Sequence, residues 1–243
     1  MKTAAMLVIG NEILSGKIRD SNAYYLSRQL RILGTQLEKI VFVLDRYEDI
    51  AKEITVLSEK YDFVFTSGGV GPTHDDITID AIARAFHTPT YLNENLKQLL
   101  MGYFKEQLTD AHLRMATIPE GTQLLETSSN HFPVYQFKNI FILPGVPHIF
   151  ERKFEKIAHL FKDGQFYLRC IYLNVDEGQI AKILEEVEKS FEVSIGSYPI
   201  YQEAYSVKIT IESRNLAPVN EAVESLIMSM DPSVIYQVDP ILI

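Results

Sequence analysis

The run Thr66-Ser67-Gly68-Gly69-Val70-Gly71-Pro72-Thr73-His74-Asp75-Asp76-Ile77-Thr78 restricts what this chain can fold into more than any other segment. The apolar Phe63-Val64-Phe65 precedes it, and a helical pattern of Ile79, Ile82, Ala83 and Phe86 follows. The order is strand, glycine-rich turn, helix start. Glycines accept positive φ and leave backbone amides open to a bulky anion, and a helix N-terminus adds unpaired N–H groups. Two adjacent carboxylates would repel a phosphate seated there unless a divalent cation lay between them. The run therefore reads as a metal-bridged phosphate site. Two plainer readings stand beside it. Asp75 or Asp76 caps the following helix, and a Gly-rich turn is ordinary α/β punctuation. The run lacks the Gly-Lys-Ser/Thr ending of a P-loop and the spacing of the dinucleotide fingerprint.

The alternation around this turn sets the fold class. Thr3 to Ile9 reads as a buried strand ending at Gly10-Asn11-Glu12. Asp20-Ser21-Asn22 supplies cap chemistry for a helix carrying Tyr25, Leu26, Leu30 and Leu33, stopped by Gly34. Ile40 to Leu44 is a second strand, ending at Asp45, and Ile50, Ile54 and Leu57 mark the next helix. This pattern implies βαβ crossovers and a largely parallel sheet in a three-layer α/β/α domain. Ligands of open α/β sheets bind outside the carboxyl ends of the strands, so Asn11-Glu12, Asp45 and the glycine turn are expected to converge on one crevice. Residues 94–118 read as helical, with Leu96, Leu99, Leu100, Tyr103 and Phe104 as an apolar stripe, and a hairpin or flap is expected between Pro119 and Asn139. Another buried strand, Asn139 to Leu143, ends at Pro144-Gly145-Val146-Pro147. A helix follows with Phe150, Phe154, Ile157 and Phe161 on one face.

Lys162-Asp163-Gly164 marks the boundary, giving domains 1–165 and 166–243. The second reads strand 166–174, helix 177–190, strands 193–198 and 204–213, helix 217–229, strand 234–238. That is a small α+β, βαββαβ-like module. It has no glycine cradle or carboxylate cluster, so an accessory or dimerising role is expected there.

Composition narrows the partners. With 23 Lys plus Arg against 32 Asp plus Glu, the net charge of −9 argues against a nucleic-acid or anionic-membrane binder. The single cysteine, Cys170, excludes an internal disulfide and a Cys-based zinc cluster. Asn11-Glu12 cut the N-terminal apolar run too short for a signal peptide, and no segment approaches a membrane span, so a cytoplasmic location is the default.

Four ordered motifs carry a family resemblance: Gly10-Asn-Glu-Ile-Leu-Ser-Gly16, Asp20-Ser-Asn22, the Thr66 to Asp76 run, and Leu143-Pro-Gly-Val-Pro147. They resemble the molybdopterin-binding-like (MoCF biosynthesis) superfamily, and within it the N-terminal region of the competence/damage-inducible CinA family. The Thr-His-Asp-Asp form, with Phe132-Pro-Val and Asn139-Ile-Phe-Ile-Leu-Pro-Gly, is similar to the corresponding domain of eukaryotic FAD synthases. The resemblance spans nearly all of residues 1–165, and the tail resembles the smaller domain that follows in CinA-type chains.

The resemblance implies a small nucleotide- or pterin-phosphate ligand, a divalent metal (Mg, Mn or Co), and action on a phosphoanhydride of ADP-ribose or FAD type. Binding without hydrolysis is the alternative. It matches the two acidic positions of molybdopterin-adenylating relatives to Asp45 and Asp76, the expected catalytic pair. Phosphate binding is expected at Gly10, Asn11, Glu12, Ser67, Gly68, Gly69, Gly71, Pro72, Thr73, His74, Pro144 and Gly145. Metal binding is expected at Asp75, Asp76 and Asp45, with Glu12 and His148 as further candidates. A homodimer or other homo-oligomer is expected, with neither nucleic acid nor membrane as partner. Two departures stand out: His148 where CinA-like chains carry Glu, and Thr127-Ser-Ser-Asn-His-Phe-Pro133 in place of a Gly- and Pro-containing run. The separate deamidase and FAD-synthesising domains have no counterpart in this sequence, so neither activity is assigned.

Overall fold

The computed structural model describes residues 1–125, 132–201 and 204–241; the departure at Thr127 to His131 lies outside them. The chain divides into two compact units, Met1–Asp163 and Gly164–Ile243.

The first unit runs β1 (Thr3–Ile9), α1 (Asn11–Leu14), α2 (Asn22–Ile32), β2 (Gln36–Val43), α3 (Tyr47–Lys60), β3 (Phe63–Ser67) and α4 (Thr78–Ala85). It continues with β4 (Thr90–Leu92), α5 (Glu94–Phe104), α6 (Asp110–Arg114), β5 (Thr117–Pro119), β6 (Gln123–Leu125), β7 (Val134–Phe137), β8 (Ile140–Leu143) and α7 (Pro147–Ile157). Six strands form one sheet in the order β2-β1-β3-β8-β7-β6. β2, β1, β3 and β8 are parallel, while β7 and β6 close the sheet as antiparallel strands.

Alternation along β1 builds both cores. Ala5, Leu7 and Ile9 pack with Ile50, Ile54 and Leu57 of α3 and Leu96 and Leu100 of α5. Ala4, Met6 and Val8 pack on the other face with Leu26 and Leu30 of α2 and Phe150, Phe154 and Ile157 of α7. A strand buried on both faces loses the polar alternation of an exposed sheet, which is why β1 reads as one apolar run.

Two expectations needed correction. β2 begins at Gln36 rather than Ile40, because it is an edge strand and carries Glu38 and Lys39 toward solvent. Residues 94–118 are not one helix. Lys105 takes positive φ after α5, and Thr109 starts α6 by accepting the His112 N–H while the His112 ring accepts the Thr109 N–H. This reciprocal cap resets the chain direction. β5 then pairs antiparallel with β4 in a separate two-stranded sheet.

The second unit runs β9 (Tyr167–Leu173), α8 (Glu177–Ser190), β10 (Ser194–Pro199), β11 (Val207–Ser213), α9 (Leu216–Met228) and β12 (Ile235–Val238). Its sheet, β10-β11-β9-β12, is wholly antiparallel. Ile171, Leu173, Ile209 and Ile211 meet Ile180, Leu184, Val223 and Leu226 of the two helices. Among the described residues no helix is long and apolar enough to cross a membrane.

Candidate functional site

Strand order reverses at β1. The chain steps from β1 to β2 on one side, and β3 lies on the other. A parallel sheet opens a crevice at such a switch point, beyond the carboxyl ends of its strands. The loops after β1, β2, β3 and β8 all emerge at that end.

The two central loops touch. Gly68 has φ +105°, and a Cβ there would lie 2.2 Å from the Ile9 carbonyl oxygen; one on Gly69, φ +65°, would lie 2.3 Å from Thr78 Oγ1. No side chain fits at either position without moving backbone or a buried hydroxyl. The Gly68 N–H donates to Leu143 O at 3.2 Å, tying the turn to β8. The amides of Gly69, Val70 and Gly71 make no hydrogen bond among the described residues. Three consecutive residues with unengaged N–H groups on the cleft lining are of the kind that can receive an anion.

The turn folds on its own acidic end. Asp76 Oδ2 accepts from Thr73 N at 2.8 Å and from Thr73 Oγ1 at 2.5 Å, while Asp75 Oδ1 lies 2.6 Å from the same hydroxyl. Neither carboxylate caps α4, whose N-cap residue is Ile77. One hydroxyl carries one proton, so three oxygens share a single hydrogen here. That is an oxygen-only donor group suited to a hard cation. Among the described residues no three His, Cys, Asp or Glu converge as a metal cage, so oxygens of a ligand or water would complete any shell.

A cleft of about 810 Å³ opens beside the turn. Its wall includes Glu12, Asp20, Asn22, Ser67, Gly68, Gly69, Gly71, Asp76, Pro144 and Gly145, with Phe104, Met115, Phe132 and Tyr135 as an apolar surface. The other expected residues lie off this wall. Gly10 donates its N–H to Val43 O, and Asn11 N donates to Asp45 Oδ2 at 2.7 Å, which clasps the β1 and β2 loops together. Burial holds the Asp45 carboxyl above its ordinary range, helped by the charges of Glu12 and Asp75 and opposed by the Asn11 N–H. Pro72, Thr73, His74 and Asp75 stand on the outer side of the turn, with His74 exposed and 3.9 Å from Asp75. The Asp75 carboxyl is held below its ordinary range, chiefly by the Thr73 hydroxyl. His148 is exposed near the start of α7 and does not line the cleft.

Three participants escaped the sequence reading. Asn22, expected only to begin a helix, is 3% exposed and donates to Ser67 Oγ at 2.9 Å and Gly145 O at 2.8 Å. Both amide protons are thus spent joining α2, β3 and the loop after β8, and Ser67 keeps its own proton to donate. Arg114 reaches back from α6 to donate to Pro72 O at 2.6 Å, bracing the turn. Lys153 of α7 is mostly buried at the cleft wall, with its ammonium pushed down to about 8 by burial and by Lys156 and Arg152. The Asp20-Ser21-Asn22 motif held a signal for the first; the other two had none.

Fold and crevice together define an open α/β domain with a glycine-rich turn at its switch point, continued by a small antiparallel α+β unit. A family model described as a probable molybdopterin binding domain matches residues 5–163, and the chain belongs to that family. The FAD synthase middle domain model matches residues 165–239. A probable FAD synthase of Caenorhabditis elegans is 34% identical over 255 residues, covering 93% of this chain and 49% of that protein. A CinA-like protein of Thermotoga neapolitana is 27% identical, covering 93% and 58%. The crystal structure of CinA from Thermoplasma acidophilum superposes with a TM-score of 0.61 at 30% identity, over 67% of this chain and 100% of that one. This chain spans about half the length of the FAD synthase relative.

Proposed function

We propose that the cleft binds the diphosphate of a nucleotide of ADP-ribose or FAD type and that the first unit hydrolyses its phosphoanhydride bond. The observation that carries this reading is the row of open amides at Gly69, Val70 and Gly71 beside the Asp76 carboxylate. The amides receive phosphoryl oxygens and stabilise the charge that grows on the leaving phosphate. Ser67, its oxygen already accepting from Asn22, donates its proton to the same group. The unengaged oxygen of Asp76, or Glu12 on the same wall, orients the attacking water and takes its proton. Asp45 acts one step back, holding the first loop through Asn11. Asp75 and Asp76, whose oxygens meet at the Thr73 hydroxyl, would hold a divalent ion such as Mg, Mn or Co, with ligand or water oxygens completing its shell. Such an ion supplies charge neutralisation at the phosphoryl oxygens.

Release of AMP or phosphate from ADP-ribose, FAD, NAD and ATP, each with several metals, tests the proposal. Metal-dependent turnover of one diphosphate supports it. A ligand-induced rise in melting temperature without turnover replaces it with binding of a pterin or nucleotide phosphate.

A further inference from the structure

α7 brings Arg152, Lys153 and Lys156 to the cleft wall. Lys153 Nζ donates to Phe132 O at 3.1 Å and Pro133 O at 2.5 Å, and lies 6.0 Å from the centroid of the Tyr135 ring. All three partners line the cleft. An ammonium has three protons, and two of them find acceptors among the described residues. Among the described residues none of the three cations forms an ion pair with a carboxylate. The acidic residues of the same helix, Glu151 and Glu155, act instead on the Tyr25 hydroxyl and help push it up to about 12.

Like charges without a carboxylate partner among the described residues, one of them mostly buried, carry an electrostatic cost that the two carbonyl bonds of Lys153 offset only in part. In a chain of net charge −9 the concentration is more pointed still. An anion in the cleft would relieve both the burial and the mutual repulsion. We propose that Arg152, Lys153 and Lys156 form a second anion subsite, separate from the glycine turn, that takes a phosphate or carboxylate group. Taken with the reading of the glycine turn as a phosphate seat, on which this step rests, the cleft suits a ligand bearing more than one anionic group.

Competitive acetylation of the intact chain, followed residue by residue by mass spectrometry, reads the subsite without any activity assay. Inorganic phosphate, sodium acetate and sodium chloride at matched ionic strength are the three arms. Saturable protection of Lys153 by phosphate or acetate, beyond that given by chloride, is the expected result, and the better protector identifies the anion class. Protection is expected to fall at least about 5-fold in the Arg152→Gln/Lys156→Gln double variant, whose side chains make no hydrogen bond or ion pair among the described residues. It is expected to persist in Ser67→Ala. Protection of Lys153 in the parent chain alongside absent hydrolysis of every diphosphate tested would retire the hydrolase reading and keep the subsite. Protection equal in all three arms, or unchanged in the double variant, overturns the proposal.

Discussion

The two units handle their loops in opposite ways. In the first, four parallel strands send their carboxyl-terminal loops to one sheet end, with βαβ crossovers returning the chain from β1 to β2 and from β2 to β3, and the β7–β8 hairpin leading into β8. Polar groups from residues 12 to 145 gather there, and some of their hydrogen-bonding capacity stays open. In the second unit the antiparallel ladder divides its connections between both sheet ends, and two of its turns bond within themselves. Asp176 accepts the Gly178 N–H at 2.9 Å and Asp231 accepts the Ser233 N–H at 2.9 Å, so both turns close locally. Strand direction, more than composition, decides in which unit the polar loop groups gather at one sheet end.

The sharpest break of this contrast is Gly68→Ala. The new Cβ would meet the Ile9 carbonyl oxygen at a φ that L-residues rarely adopt. We expect a loss of about 3 kcal/mol in the first unit. Calorimetry should show its transition falling while that of residues 164–243 stays in place. A variant that melts like the parent would show that the two loops do not depend on close contact.

Asp76 sharpens the contrast at the level of chemistry. Asp76→Asn keeps an acceptor for the Thr73 N–H but loses the charge, whereas Asp76→Ala loses both. Hydrolysis is expected to fall about 100-fold or more in each. Ala alone should also lose about 1–2 kcal/mol of stability from the unpaired turn. Parent-like turnover in both variants would remove Asp76 from the mechanism and leave it as a fold residue only.

The smallest effect belongs to the second unit. Asp176→Ala removes the α8 cap and should cost about 1 kcal/mol there, with hydrolysis and phosphate protection of Lys153 untouched. A change in either site readout would contradict the assignment of the ligand chemistry to the first unit.

Much of this was legible in the residues. The strand-turn-helix order at Phe63 to Phe86, the apolar run of β1 and the βαββαβ order of the tail follow from local patterns of burial and capping. What stayed illegible was non-local or compensated. The edge strand β2 hid its first residues behind charges that face solvent. The break after α5 turned on the reciprocal bonds of Thr109 and His112, which the apolar stripe of residues 94–118 outweighed in the sequence.

By itself, the sequence determined the direction of the first sheet, the need for glycine at its central turn and hence the end at which the polar loops meet. Periodicity and backbone sterics act within a few residues, so a linear string carries them. Only the tertiary structure decided which polar groups face the cleft. It turned Asp45 toward Asn11 and folded Asp76 onto Thr73. It also brought Asn22 to partners 45 and 123 positions away and left three α7 cations on the wall without carboxylate partners among the described residues. Those outcomes depend on packing between distant segments, where a side chain's partner is set by which helix lies across the sheet from it.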